Sequence, residues 1–296
     1  MRWGDMRPSD NVEDRTGMSS GGGGFPLGGG MRLGGGAIII IVIVSLLFGV
    51  NPLQILGMME GSGPVVAPQT QSIPAGPHVP AATPDPQKQL VARIVGDTED
   101  VWTGLFKAMG TRYEPPTLVL FTRYTVSGCG NASAAAGPFY CPVDQKVYLD
   151  TAFFRELQTR FGAPGDFAQA YVIAHEIGHH VQNQLGTMQK FEQTAARTDA
   201  RQRNALSVRL ELQADCYAGV WGSYAAKRNL LEPGDLEEGL RAASSVGDDT
   251  IQKRTQGHIV PDAFTHGTAE QRTKWFRTGF TSGDPRSCNT FAAKDS

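Results

Sequence analysis

Between Ala37 and Val50 the chain reads AIIIIVIVSLLFGV, fourteen residues without a charge, and it stays uncharged through Met59, 23 residues in all. A membrane-spanning helix needs about 20 apolar residues, so residues 37–59 are expected to form one transmembrane anchor. Asn51-Pro52 interrupts the run near one end, where a break in a spanning helix is tolerated. A core helix or strand would not stand isolated between a glycine tract and a proline-rich stretch. A cleaved signal peptide would follow a short leading region and end at a small-residue site, whereas here 36 residues precede the run. This one feature divides the chain.

Residues 1–36, which include SSGGGGFPLGGGMRLGGG, are rich in glycine and charge. They are expected to bury no core and to be disordered. Arg2, Arg7, Arg15 and Arg32 precede the apolar run, and the next Lys or Arg after it is Lys88. By the positive-inside rule the N-terminus is then cytoplasmic. The chain is expected to cross the cell membrane once, with its large domain periplasmic or otherwise extracytoplasmic. Residues 60–86 hold seven prolines and no apolar period, which suits a semi-extended linker. Residues 87–296 are long enough for one domain with its own core. The net charge of −2 gives no basic surface for nucleic acid.

Within the domain, Leu90, Ile94, Val101, Trp102, Leu105 and Met109 fall at helical spacing. TLVLFTRYTVSG and KVYLD read as strands, and CGNASAAAGPFYC between Cys129 and Cys141 reads as a small-residue loop. TAFFRELQTRFG reads as a helix closed by Gly162. Asp166 looks like an N-cap with Gln169 completing a capping box, opening a helix that runs to about Leu185. Further helices are expected over about 199–228, 235–245 and 268–280. Helix, a few strands, then many helices describe an α+β domain, mostly helical with a small sheet.

The chemistry concentrates in YVIAHEIGHHVQNQLG, residues 171–186. His175 and His179 stand at i and i+4, so both imidazoles can reach one ion from one helix face. Zinc favours imidazole nitrogen, and a catalytic zinc keeps three protein ligands and an open position. Glu176 follows the first histidine and lies round the helix from it, beside such an ion, where it can act as general base. The bland alternative is a solvated, histidine-rich surface helix. A third histidine at the metzincin spacing is absent from HVQNQLGTMQK. The later segment VRLELQADCYAGVW offers Glu211 as third ligand and, four residues on, Asp215 on the same face. Asp215 sits among apolar residues, so its carboxylate needs a buried partner, such as the far nitrogen of a ligand histidine. Glu192 and Asp199 are weaker candidates in a polar connection.

AHEIGHHVQ, ELQADCYAGVW, GCGNASAAAGPFYCPVDQKVYLD, FTHGTAEQRTKWFRTGF and the opening MRW and SDNVEDRTG together resemble the bacterial putative neutral zinc metallopeptidase family. The resemblance covers nearly the whole chain except the linker. It implies a zincin-like fold of the gluzincin type, with a glutamate as third ligand, and it adds little about substrate.

The expected activity is zinc-dependent endopeptidase chemistry, with one Zn2+ per chain on His175, His179 and Glu211 and a protein or peptide substrate. A non-catalytic zinc-binding scaffold of the same architecture is the alternative, and the presence of Glu176 favours the enzyme. His266 is expected to stabilise charge on the substrate oxygen, although a structural histidine at a helix start is the plainer reading. His258 lies in the same segment, His180 is expected to pack, and Arg272 could serve as an ion-pair partner. In an oxidising compartment Cys129 is expected to pair with Cys141, eleven residues lying between them. Cys216 with Cys288 is the remaining pair, against which stands the reading of Cys216 as a plain buried thiol.

Overall fold

A computed structural model describes residues 1–17, 85–134 and 137–292. The expected anchor, residues 37–59, and nearly all of the expected linker lie outside the described residues. Among the described residues no helix is long and apolar enough to cross a membrane.

The elements in chain order are β1 (Val12–Asp14), α1 (Pro86–Ala108), β2 (Thr117–Phe121), β3 (Tyr124–Ser127), β4 (Gly130–Ser133), β5 (Phe139–Cys141), β6 (Lys146–Asp150), α2 (Phe153–Thr159), α3 (Asp166–Gln184), α4 (Thr187–Ala195), α5 (Ala200–Lys227), α6 (Asp235–Ser245), α7 (Asp248–Gln256) and α8 (Ala269–Ser282). The domain is α+β, mostly helical with a small sheet, as expected. The sheet order is β1-β2-β6-β5, parallel except for β5, which runs antiparallel to β6. β3 and β4 form a separate hairpin. Val119, Phe121 and Tyr148 fill one face of the sheet, while Leu118, Leu120, Val147 and Leu149 pack into the helical core, the alternation a strand imposes. That core holds Trp102, Trp221, Phe167 and Phe276, all essentially fully buried.

The segment between Cys129 and Cys141 is not a plain loop, because it contains β4 and β5. The expected cystine Cys129–Cys141 is bonded, and the remaining pair, Cys216 with Cys288, is bonded too, so Cys216 is not a plain buried thiol. The expected capping box at Asp166 does not form. Gly165 is the N-cap, and Asp166, one residue inside the helix, accepts the indole N–H of Trp3 at 2.9 Å. The segments 187–195 and 248–256 are helices that polar composition hides.

The largest correction concerns residues 1–17, expected to be disordered. Met6 and Ser9 are buried, and Asn11 to Arg15 run beside β2, with Val12 opposite Leu118 and Asp14 opposite Leu120. The glycine tract that suggested disorder begins only after this stretch, and averaging the two together conceals a sticky leading segment. A side chain on Gly96 of α1 would put its first carbon 2.2 Å from the carbonyl oxygen of Arg7. The missing side chain is therefore what lets the N-terminal backbone lie directly on α1.

Candidate metal centre

Two helices build the site. α3 carries His175, Glu176 and His179, and α5 carries Glu211 and Asp215. They cross closely because Gly178 faces Ala214, where a first side-chain carbon would stand 3.0 Å from the Ala214 carbonyl oxygen. The crossing sets His175 Nε2 3.2 Å from Glu211 Oε2 and His179 Nε2 3.6 Å from Glu211 Oε1. One donor atom from each of the three residues falls within 4.8 Å of the others. His175, Glu176 and His179 are buried, which disposes of the solvated-surface-helix alternative.

The far ring nitrogens are engaged elsewhere. His175 Nδ1 lies 2.9 Å from Asp215 Oδ1, so its N–H donates to the carboxylate. His179 Nδ1 lies 2.9 Å from Gln182 Oε1. Gln182 donates its own amide to the Leu210 carbonyl at 2.7 Å, which leaves its oxygen facing His179. Both Nε2 atoms thereby face the Glu211 carboxylate and are the nitrogens that would bind an ion once the proton held there is displaced. Two imidazole nitrogens and one carboxylate oxygen are a donor set that suits zinc, and the orienting hydrogen bonds are those ligand histidines usually make.

Asp215 is fully buried. Besides His175 it accepts from the Tyr171 hydroxyl, from Arg272 Nε at 2.8 Å and from Arg272 Nη2 at 2.9 Å. Burial alone would raise its pKa, but Arg272 and His175 outweigh that and hold it below the usual carboxylate range. Burial likewise opposes charge on His175, yet Asp215 and Glu211 lift its pKa to about 10. Glu211 is held well below the carboxylate range, against its burial, by His179 and His266. A proton shared in this cluster is what a bound cation would displace. Glu176 goes the other way: burial raises its pKa, against the pull of His175 and His179.

His266 is also buried. It sits just ahead of Thr268, which caps α8 in a complete capping box. Asp248, the first residue of α7, holds it in place. Its Oδ2 accepts backbone N–H bonds from Thr265, His266 and Gly267 at 2.7, 2.6 and 3.1 Å, and its Oδ1 lies 3.1 Å from His266 Nδ1. Among the described residues Nε2 of His266 has no hydrogen-bond partner. Burial disfavours the charged ring, but Asp248 and Glu211 outweigh it and raise the pKa.

The other residues singled out from the sequence lie apart from the cluster. His258 is exposed, and Glu192 is exposed on α4. Asp199 caps α5 through Gln202 N. His180 packs as expected: it bridges the Tyr140 hydroxyl and the Glu114 carbonyl, and burial lowers its pKa to about 4. Arg272 is the ion-pair partner of Asp215. Two positions were not singled out. Gln182 stands three residues after His179, a spacing that could have marked it, whereas nothing local marks Asp248.

The sequence matches the family described as "Putative neutral zinc metallopeptidase" over residues 1–291. It is 46% identical over 295 residues to "Uncharacterized protein YpfJ" of Escherichia coli strain K12, covering 98% of this chain and 99% of that protein. It is 44% identical over 222 residues to "Uncharacterized protein Rv2575" of Mycobacterium tuberculosis strain H37Rv, covering 71% of this chain and 74% of that one. No solved structure matches the chain.

Proposed function

Because the chain belongs to the putative neutral zinc metallopeptidase family, we propose that it is a zinc-dependent endopeptidase with a zincin-like fold of the gluzincin type. The observation that carries this reading is the convergence of His175, His179 and Glu211, with Glu176 buried beside them. Those three residues would hold one zinc. Zinc there would supply Lewis acidity, polarising a scissile carbonyl and easing deprotonation of a water.

The chain's own residues do the rest. Asp215 and Gln182 keep the ligand rings in the tautomer with Nε2 free. Glu176 takes the proton of the attacking water and passes it to the leaving amine nitrogen as the C–N bond breaks. Its raised pKa moves it towards the range in which one carboxyl can do both. His266, whose Nε2 is unpartnered among the described residues, would donate to the oxyanion that develops on the carbonyl oxygen. Two cystines favour a domain outside the cytoplasm.

Glu176→Gln tests the proposal directly. The amide cannot accept the proton, so hydrolysis of a casein or peptide-library substrate should fall by about 10²–10⁴-fold. Elemental analysis should still find one zinc per chain. A variant that cleaves at the parent rate would favour the scaffold reading.

A further inference from the structure

Glu99 on α1 is a buried carboxylate, and its three side-chain partners all come from the N-terminal segment. Arg7 Nη2 donates at 2.8 Å, the Ser9 hydroxyl at 2.5 Å and Asn11 Nδ2 at 2.8 Å. The same segment exchanges main-chain bonds with the domain. Ser9 N donates to Ala92 O, Leu118 N to Asn11 O and Arg15 N to Leu120 O, at 2.8–2.9 Å. Asp14 pairs with Lys88 at 2.7 Å and Glu13 with Lys146 at 2.9 Å. These are the internal bonds of one folded unit, and β1 is a strand of its sheet.

That unit contains both flanks of the apolar run, and a single crossing would put residues 1–17 and 85–292 on opposite faces of a membrane. Few of the arginines stand where they could orient a single crossing. Positive charge orients a span when it lies within about 15–20 residues of its end. Arg2, Arg7 and Arg15 are farther than that from Ala37, which leaves Arg32 alone. Arg7 and Arg15 are in any case ion-paired within the domain.

We propose that residues 1–17 and 85–292 occupy one compartment as a single folded unit. The N-terminus would then stand on the same side as the candidate metal centre, unlike the orientation expected from the arginines. This does not depend on the proposed peptidase activity.

The test uses the full chain, with a C-terminal tag, in a bacterial host with a periplasm. One version carries a protease site inserted between Gly23 and Gly24, another between Ala75 and Gly76. Protease is added to intact spheroplasts and to lysed ones. Both sites cut in intact spheroplasts, or both protected until lysis, is the expected class of result. The second pattern would remove the extracytoplasmic location while leaving the shared face standing. Cleavage at the later site with protection of the earlier one overturns the proposal. As an independent arm, a zero-length carbodiimide applied to unbroken cells should join Asp14 to Lys88, and Gly96→Val should abolish that link. Absence of the link in the parent chain would overturn the proposal as well.

Discussion

Asp215 and Glu99 are both buried carboxylates that neutral and cationic donors satisfy, and they differ in where the donors come from. The partners of Asp215 sit on α3 and α8, helices packed across the middle of the molecule. Those of Glu99 are three residues, Arg7, Ser9 and Asn11, of one short leading segment. Removing any partner of Asp215 therefore disturbs the core, whereas the whole environment of Glu99 could be lifted away as a unit. The candidate metal centre is built so that it cannot come apart separately from the fold. The N-terminal docking is built so that it reports whether the segment is present.

The largest effect should come from breaking the first arrangement. Arg272→Met leaves the Asp215 charge buried without its main cationic partner, which costs about 3–5 kcal/mol. Chemical denaturation of the zinc-free protein should read that loss. The double variant Arg272→Met/Asp215→Leu sharpens the point. Apolar replacement of both members should restore much of the stability. Zinc affinity should still fall about 10–100-fold, because the His175 ring loses the carboxylate that orients it. If affinity recovers along with stability, Asp215 serves the fold and not the metal site.

Glu99→Gln probes the second arrangement and should cost less, about 1–3 kcal/mol, the range for a buried polar group left imperfectly paired. The loss should be local. Hydrogen exchange at Ser9, Leu118 and Arg15 should rise, while amides of α3 around His175 keep their protection. Uniform loosening across both regions would erase the distinction between them.

The same contrast governs what could be read from the sequence. His175, Glu176 and His179 were legible because a helix brings i and i+4 together whatever surrounds it. Glu211 and Asp215 were legible for the same reason, since four residues and an apolar setting mark a buried acidic face. The pairing of Asp248 with His266 was not legible: it joins a helix start to a loop eighteen residues away. The docking of residues 1–17 was less legible still. Arg7 and Glu99 stand 92 residues apart in the chain, and Glu13 and Lys146 stand 133 apart. Composition averaged over 36 residues sees only glycine and charge there, because the complementary groups are distant in sequence. Motifs disclose chemistry whose geometry is local, and they are silent on contacts that only the tertiary fold creates.

The smallest predicted effect isolates that docking by its solvent exposure. Hydrogen bonds from Arg15 and Lys146 hold the Glu13 pKa down at about 2, and those from Lys88 and Thr16 do the same for Asp14. A carboxylate whose pKa is lower folded than unfolded stabilises the fold above its ordinary value near 4, and that contribution fades as the pH falls towards 2. Both side chains are more than a third exposed, 41% and 45%, so each pair is worth only about 0.2–1 kcal/mol. Exposed pairs are also screened, with a Debye length of about 10 Å at 0.1 M salt and about 3 Å at 1 M. Acidification from about pH 5 to pH 3 and salt near 1 M at neutral pH should therefore act alike, each speeding exchange at Val12 to Arg15. The Arg272–Asp215 pair is buried on both sides and lies out of reach of counterions, so salt at neutral pH should leave exchange in α5 around Asp215 unchanged. Salt that loosened α5 as much as β1 would show that the two buried carboxylates share one cooperative unit, and the comparison between them would fail.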